Sequence, residues 1–253
     1  MNLIILAAGQ GTRLRPLTDN QPKCLVKYNE KPIIDYILDS KYIDFFNNII
    51  IVDGYKADVL KSSLKNRGIL FCSNPRYFET NMLHSLFCAN KYFDEDIVIS
   101  YSDIIYDESV MKSIFESKYE AGVVIDKKWK ELWLTRMEDP LNDAETLKIK
   151  DNKIIEIGLK PKSYKEIEGQ YIGLIKFSKN KLKAINKFKN KLIEKKIETH
   201  QSLERMHLTA FLQLMINNNF DIHPIYINGG WIEIDSVDDI NNYKKKGIRF
   251  DKS

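Results

Sequence analysis

The sequence predicts an α/β protein: a Rossmann-like, mainly parallel sheet with helices on both faces, plus a small inserted region of strands and helices. Three observations carry this. Short apolar runs of buried-strand length alternate with amphipathic stretches through residues 1–125. The first run, Leu3–Leu6, breaks directly into a loop of small residues, Ala7-Ala8-Gly9-Gln10-Gly11. Beyond residue 125 the alternation gives way to a hairpin pattern and late strands.

Taken in order, Leu3–Leu6 reads as a buried strand. Pro32–Ile43 reads as a helix, with proline at its start and Ile33, Ile34, Tyr36 and Ile37 forming an apolar face. Asn48–Val52 is a continuous apolar strand, Ala57–Leu64 a helix and Ile69–Cys72 a strand. Met82–Tyr92 is helical, Ile97–Tyr101 a strand, Val110–Glu116 helical and Ala121–Ile125 a strand. Thr146–Lys150 and Lys153–Ile157, joined by Asp151-Asn152, form a hairpin pattern. Tyr171–Phe177 is a strand. The lysine-dense segment Lys179–Lys196 carries Leu182, Ile185, Phe188 and Leu192 at helical spacing, which marks a surface helix with a solvated face. A helix near Leu208–Ile216, strands Ile222–Ile227 and Trp231–Ile234, and a helix Val237–Lys245 complete the chain.

Size and composition suit a single domain over residues 1–253, with 43% hydrophobic residues for one core. Residues 1–125 read mainly as a nucleotide-binding half and 126–253 as an acceptor-binding half with a late metal ligand. The 39 basic and 35 acidic residues make a mixed surface of net charge +4, which gives no ground for nucleic acid as a partner. No apolar run approaches the roughly 18 residues of a membrane span. Leu3–Ala8 lacks a basic leader and is too short for a signal peptide. Cys24, Cys72 and Cys88 show neither paired nor metal-type spacing and read as reduced thiols. A cytoplasmic protein is the expectation. The subunit count stays open, a homodimer included.

The opening loop carries the chemistry. Small residues leave backbone N–H groups bare, and successive N–H groups form an anion nest. Arg13 adds a rigid donor fork and Lys23 a movable point charge. The loop therefore reads as a triphosphate cradle built from Leu6, Ala7, Ala8, Gly9, Gly11, Thr12, Arg13 and Lys23. It is not the dinucleotide fingerprint, because Leu14 fills the third glycine position, and the Walker A spacing is absent.

Leu6-Ala7-Ala8-Gly9-Gln10-Gly11-Thr12-Arg13-Leu14-Arg15-Pro16-Leu17-Thr18, followed by Pro22-Lys23, resembles the signature of the nucleotidyltransferases that make activated sugars and alcohols. The resemblance implies the nucleotide-diphospho-sugar transferase fold. It also implies joining of an NTP to a phosphate monoester with release of pyrophosphate. Weaker matches fall near Asp103, Gly169–Phe177 and Glu233–Asp235. Asp103 and Asp235 each follow an apolar run, where ligands of open parallel sheets sit. Two carboxylates beside a triphosphate call for a cation, and Mg²⁺ suits them. The resemblance implies that Asp103 and Asp235 hold it, and that Arg13, Lys23 and Asp103 are catalytic. A helix N-cap remains the competing role for Asp235, ahead of Ser236-Val237. Alternation is read as placing Glu233 on the opposite face of its strand.

Asp53-Gly54-Tyr55, at the end of the second strand, is a further nucleotide-contacting candidate: Gly54 for close approach, Tyr55 for stacking. Asn81-Met82-Leu83-His84-Ser85-Leu86 resembles a base-recognition segment of cytidylyltransferases that activate phosphocholine, which points to CTP. Asn81 and Ser85 can read cytosine by donor and acceptor pairs, or serve only as a cap and a helix residue. Trp129, Glu131 and Trp133 suit a cationic head group, or else two core tryptophans. Gly158-Leu159-Lys160-Pro161-Lys162 resembles the family's Glu-Lys-Pro stretch, with Lys160 or Lys162 toward the acceptor phosphate and Leu159 in place of Glu. Tyr171 is the last acceptor candidate. The whole chain resembles cytidylyltransferases that activate L-glutamine phosphate for capsular phosphoramidate modification. Phosphocholine, 2-aminoethylphosphonate and sugar-1-phosphates are rival acceptors. A nucleotide-sensing protein is the non-enzyme rival.

Overall fold

The computed structural model describes residues 1–194, 199 and 202–250. The chain starts with strand β1 (Asn2–Ala7), whose six residues are all buried. A two-residue pair, β2 (Lys27–Tyr28) and β3 (Lys31–Pro32), leads into helix α1 (Ile33–Leu38). Then follow β4 (Asn48–Asp53), α2 (Ala57–Leu64), β5 (Leu70–Ser73), α3 (Met82–Cys88), β6 (Ile97–Tyr101), β7 (Ile104–Tyr106), α4 (Glu108–Glu116) and β8 (Ala121–Asp126). The second half holds α5 (Trp129–Arg136), the hairpin β9 (Leu147–Lys150) and β10 (Lys153–Ile157), β11 (Gln170–Phe177) and α6 (Lys179–Ile193). It ends with α7 (Leu208–Asn217), β12 (His223–Ile227), β13 (Trp231–Glu233) and α8 (Val237–Lys245).

Seven strands form the main sheet in the order β12-β8-β11-β6-β1-β4-β5. All neighbours run parallel except β11, which is antiparallel to both β6 and β8. Helices cover both faces, so strands read as unbroken apolar runs. Ile4, Leu6, Ile50 and Val52 belong to one buried cluster, whereas Leu3, Ile5, Ala7 and Ile51 belong to the other. Each such side chain contributes about 1.5–3 kcal/mol on burial. A third cluster, with Leu14, Tyr28, Ile105, Ile232, Ile234 and Tyr243, lies between α1, α8 and the small sheet β7–β13.

The elements match the sequence expectation closely, with three differences. The first helix stops at Leu38, and Ile43–Phe45 is a separate 3-10 turn. The helix from Met82 stops at Cys88, with Asn90–Tyr92 again a 3-10 turn. Strands β2, β3 and β7 and helix α5 carry no expectation from the sequence. The lysine-dense helix is present to Ile193 with its four apolar residues buried; residues 195–196 of the expected segment lie outside the described residues. Among the described residues no helix is long and apolar enough to cross a membrane.

β1 is the pivot of the fold. The chain leaves it toward β4 and β5 on one side and returns to β6 on the other. Ligands bind at such a switch point, beyond the carboxyl ends of the strands. There the β1 loop faces the β6 end.

Candidate active site

A cavity of about 300 Å³ opens at that switch point, lined by the β1 loop, the α3 start, and the ends of β6 and β13. Leu6, Ala7, Ala8, Gly9, Gly11, Thr12 and Arg13 all border it. Gly11 sits at φ +60°, where a Cβ would come 2.9 Å from Lys23 Cβ, so the left-handed turn and the close passage of Lys23 both require glycine. The Thr18 hydroxyl donates to the Gly11 carbonyl at 2.9 Å and fixes the turn. Gly9 has open space above it, leaving its backbone bare toward the cavity.

Asp53, Gly54 and Tyr55 brace this loop from behind and do not line the cavity. The Tyr55 amide donates to the Ala8 carbonyl at 3.0 Å, and its hydroxyl donates to the Thr18 and Asp19 carbonyls at 2.9 and 3.1 Å. A Cβ on Gly54 would meet the Ala8 carbonyl oxygen at 2.8 Å, so the close approach it permits is to protein. Asp53 is fully buried and pairs with Lys61 at 3.2 Å.

Lys23 crosses beneath the loop and is the hub of the site. Its ammonium donates to Asp103 Oδ2 at 2.7 Å and to Asp235 Oδ1 at short range. Arg13 reaches the other Asp235 oxygen at 2.9 Å. The pairing of β13 with β7 brings the two distant acids together: Ile104 opposes Glu233, and the Ile234 amide donates to the Asp103 carbonyl at 2.9 Å. Asp235 is not a helix cap. Ser236 caps α8 in a capping box with Asp239, whose carboxylate also accepts from the Asp235 amide, so the Asp235 side chain is left to the site.

Glu233 is a correction. Residues two apart in a strand share a face. Glu233 accordingly points with Asp235, not away from it, and oxygens of Asp103, Glu233 and Asp235 lie within 4.8 Å of one another. Arg136, on α5, serves this side of the cluster. Its side chain is 3% exposed and pairs with Glu233 at 2.8 Å, Asp239 at 3.1 Å and Asp235 at 3.4 Å. Neither Arg136 nor the inward turn of Glu233 was expected from the sequence. Trp129, Trp133 and Arg136 recur at the helical i, i+4, i+7 spacing, and that was the signal available for Arg136.

The charges hold one another. Burial opposes the Lys23 ammonium, but Asp103, Asp235 and then Glu233 outweigh it and raise its pKa above the ordinary lysine value. Burial and then Asp235 push Glu233 up, against Arg136. Burial works upward on Asp235 too, yet Lys23, Arg13 and Arg136 bring it below the usual carboxylate range. The cluster fits a hard divalent cation by its oxygen donors. The Lys23 ammonium already stands as a cation between two of the acids, and Asp103 Oδ1 is buried with no hydrogen-bond partner. Asp103 and Asp235 are thus placed to hold a divalent cation, with Glu233 beside them.

Asn81 and Ser85 line the same cavity from α3. The Asn81 side chain caps the helix by accepting from the Met82 amide at 2.8 Å, while its amide group faces His207. Ser85 is buried and accepts from Asn74 at 3.0 Å.

A second cavity of about 220 Å³ adjoins the first and shares Arg13, Met82, Tyr101, Glu233 and Asp235 with it. Trp133 and Tyr171 line it, as does Trp231. Trp129, Glu131, Lys160 and Lys162 do not. Trp129 packs in the core against Trp133 and Tyr164. Glu131 and Lys162 are exposed, and the Lys160 ammonium donates to the Leu141 and Asn142 carbonyls. The helix rotates Glu131 outward because it lies two positions from either tryptophan.

Residues 2–132 match the family model described as nucleotidyl transferase. That match spans just over half the chain. The chain belongs to the nucleotidyl transferase family. It is 42% identical over 247 residues to CTP:phosphoglutamine cytidylyltransferase of Campylobacter jejuni, covering 95% of this chain and 98% of that one. It is 34% identical over 119 residues to choline-phosphate cytidylyltransferase of Streptococcus pneumoniae, covering 47% and 52%. In fold it is similar to the solved CTP:phosphocholine cytidylyltransferase of Streptococcus pneumoniae, with a TM-score of 0.71 at 23% identity over 98% of this chain and 99% of that one. As a nucleotidyltransferase the chain is an enzyme. The first cavity lies at the switch point of the sheet, and the second opens beside it.

Proposed function

We propose that this protein transfers CMP from CTP to a small phosphorylated acceptor and releases pyrophosphate, with L-glutamine phosphate as its acceptor and CDP-L-glutamine as its product. The observation that carries the reaction class is the meeting of Arg13 and Lys23 with Asp103 and Asp235 at one cavity walled by bare loop backbone. The likeness to CTP:phosphoglutamine cytidylyltransferase over nearly the full length of both chains supports the nucleotide and the acceptor. We propose further that the product serves phosphoramidate modification of capsular polysaccharide and that the enzyme works in the cytoplasm.

An oxygen of the acceptor phosphate attacks the α-phosphorus of CTP. The bond from that phosphorus to the bridging oxygen breaks, and pyrophosphate leaves with the electron pair. Catalysis of this kind rests on positioning and charge neutralisation. The Ala8–Arg13 backbone cradles the triphosphate, Arg13 holds the departing pyrophosphate, and Lys23 balances charge at the α-phosphate. Asn81 and Ser85 face the base. Mg²⁺ held by Asp103 and Asp235 supplies Lewis-acid stabilisation of phosphate charge.

The test is a matrix of four nucleoside triphosphates against L-glutamine phosphate, phosphocholine, 2-aminoethylphosphonate and hexose-1-phosphates, read as pyrophosphate release. Release with CTP and L-glutamine phosphate is expected. Release with only UTP and a hexose phosphate overturns the assignment.

A further inference from the structure

The second cavity carries a charge that the reaction does not use. Of its acids, Glu233 and Asp235 are balanced by Arg136, Arg13 and Lys23. Glu145 has no such balance: among the described residues no lysine, arginine or histidine pairs with its carboxylate. The Thr209 hydroxyl is its side-chain hydrogen-bond partner, and Asp143 stands near it as a second acid. Burial and then Asp143 raise the Glu145 pKa, as expected of an acid waiting for a cation. Asp143 accepts from the Trp133 indole at 3.1 Å.

Glu145 is held in place. Its amide donates to Gln170 Oε1 at 3.0 Å, and the Gln170 amide group donates back to the Glu145 carbonyl. Trp133, Trp231, Tyr101 and Tyr171 supply aromatic surface around the cavity. The Tyr171 hydroxyl is buried there beside that of Tyr101. Carboxylates, a hydroxyl and ring faces together suit a cationic nitrogen that still carries N–H donors.

We infer that Glu145 is a specificity-determining residue that binds a protonated amine on the acceptor, with Asp143 and the Tyr171 hydroxyl beside it. This rests on the reading of the second cavity as the acceptor site. It excludes neutral hexose phosphates as preferred acceptors, since they leave the buried carboxylate unpaired.

The experiment compares 2-aminoethylphosphonate with propylphosphonate, in which methyl replaces ammonium, and L-glutamine phosphate with its desamino counterpart. Pyrophosphate release and calorimetric binding are both measured, on the wild type, Glu145→Gln and Glu145→Asp. The wild type is expected to prefer the better amine over its counterpart by about 10- to 100-fold, the worth of a charged hydrogen bond. Glu145→Gln should erase that ratio through KM, and Glu145→Asp should restore part of it. A ratio that Glu145→Gln leaves unchanged, or a wild type without preference, overturns the inference. If CTP is not the nucleotide, the proposed function fails, while the calorimetric comparison still decides the role of Glu145.

Discussion

Replacing Lys23 with methionine tests the electrostatic logic of the site most directly. The ammonium is 14% exposed and stands between Asp103 and Asp235, with Glu233 close by. Without it, carboxylates within 4.8 Å of each other face one another with one cation fewer. A pair of unit charges at that separation repels by about 3.5 kcal/mol at an effective dielectric near 20. Breaking a buried ion pair independently gives about 3–5 kcal/mol. For a chain of this size, roughly 2–4 °C of melting temperature is lost per kcal/mol, so a fall of roughly 7–14 °C is expected. Differential scanning fluorimetry at pH 8 reads it. Mg²⁺ should restore much of the loss in Lys23→Met and shift the wild type little, because a ligand stabilises the folded state only as far as it binds there and the Lys23 ammonium already stands between the acids in the wild type. The loss should also shrink as pH falls. Glu233 already has a raised pKa, so its destabilisation is present above that value and relieved when it is protonated below it. An unchanged melting temperature, or an equal Mg²⁺ shift in both proteins, refutes the reasoning.

Asp103→Asn should fold and lose about 10²- to 10³-fold in turnover, as for removal of one preorganised electrostatic group, measured as pyrophosphate release. Gly11→Ala places a Cβ 2.9 Å from Lys23 Cβ at a φ of +60°. A strain of about 1–3 kcal/mol and a higher KM for CTP are expected, read by melting and by titration of the nucleotide. Glu145→Gln should raise the melting temperature of the free protein at pH 8. The folded pKa of Glu145 is raised, so the folded state holds its proton more tightly, and stability falls as pH rises through that window. Glutamine removes the effect, and the gain over the wild type should vanish at pH 4.

The first half of the fold was legible because local and tertiary preferences agree there. β1, β4, β6 and β8 are apolar runs buried on both faces, and α2 coincides with the expected Ala57–Leu64. The grouping of the proposed nucleotide cradle was legible for a similar reason: Gly11, Arg13 and Lys23 come from one short stretch and border one cavity. Residues that act across distance were harder. Glu233 was misplaced by a parity error, though its two-residue offset from Asp235 fixes its face. Arg136 and Glu145 sit in polar segments where charge alone does not say inward. The acids Glu233, Asp235 and Asp239 draw Arg136 inward, and the Gln170 clamp fixes Glu145. Strand β7 is three residues long, too short to register as a period.

Charge balance explains why Lys23 must be a lysine. Around the acids stand three cations, Lys23, Arg13 and Arg136, against five carboxyl groups, Asp103, Asp143, Glu233, Asp235 and Asp239. The free site therefore has no cation to spare, and the raised pKa of Glu233 answers the excess of acids. Arg136 is locked among acids by its planar fork and is not available to a ligand, whereas Arg13 is 65% exposed and can turn to one. A triphosphate adds several negative charges to a cluster that has no spare cation. Lys23 alone lies between the acids and the loop, on a flexible stem with a point charge that can face either. Serving the phosphates strips the acids of their partner, and the divalent cation that Asp103 and Asp235 are suited to hold makes up the deficit. On the proposed function, the same contact that stabilises the free protein would make tight nucleotide binding depend on metal. Lys23→Arg, with a wider fork in place of a point charge, should preserve stability better than Lys23→Met while losing turnover, and equal turnover in Lys23→Arg and the wild type would remove the need for a mobile charge at this position.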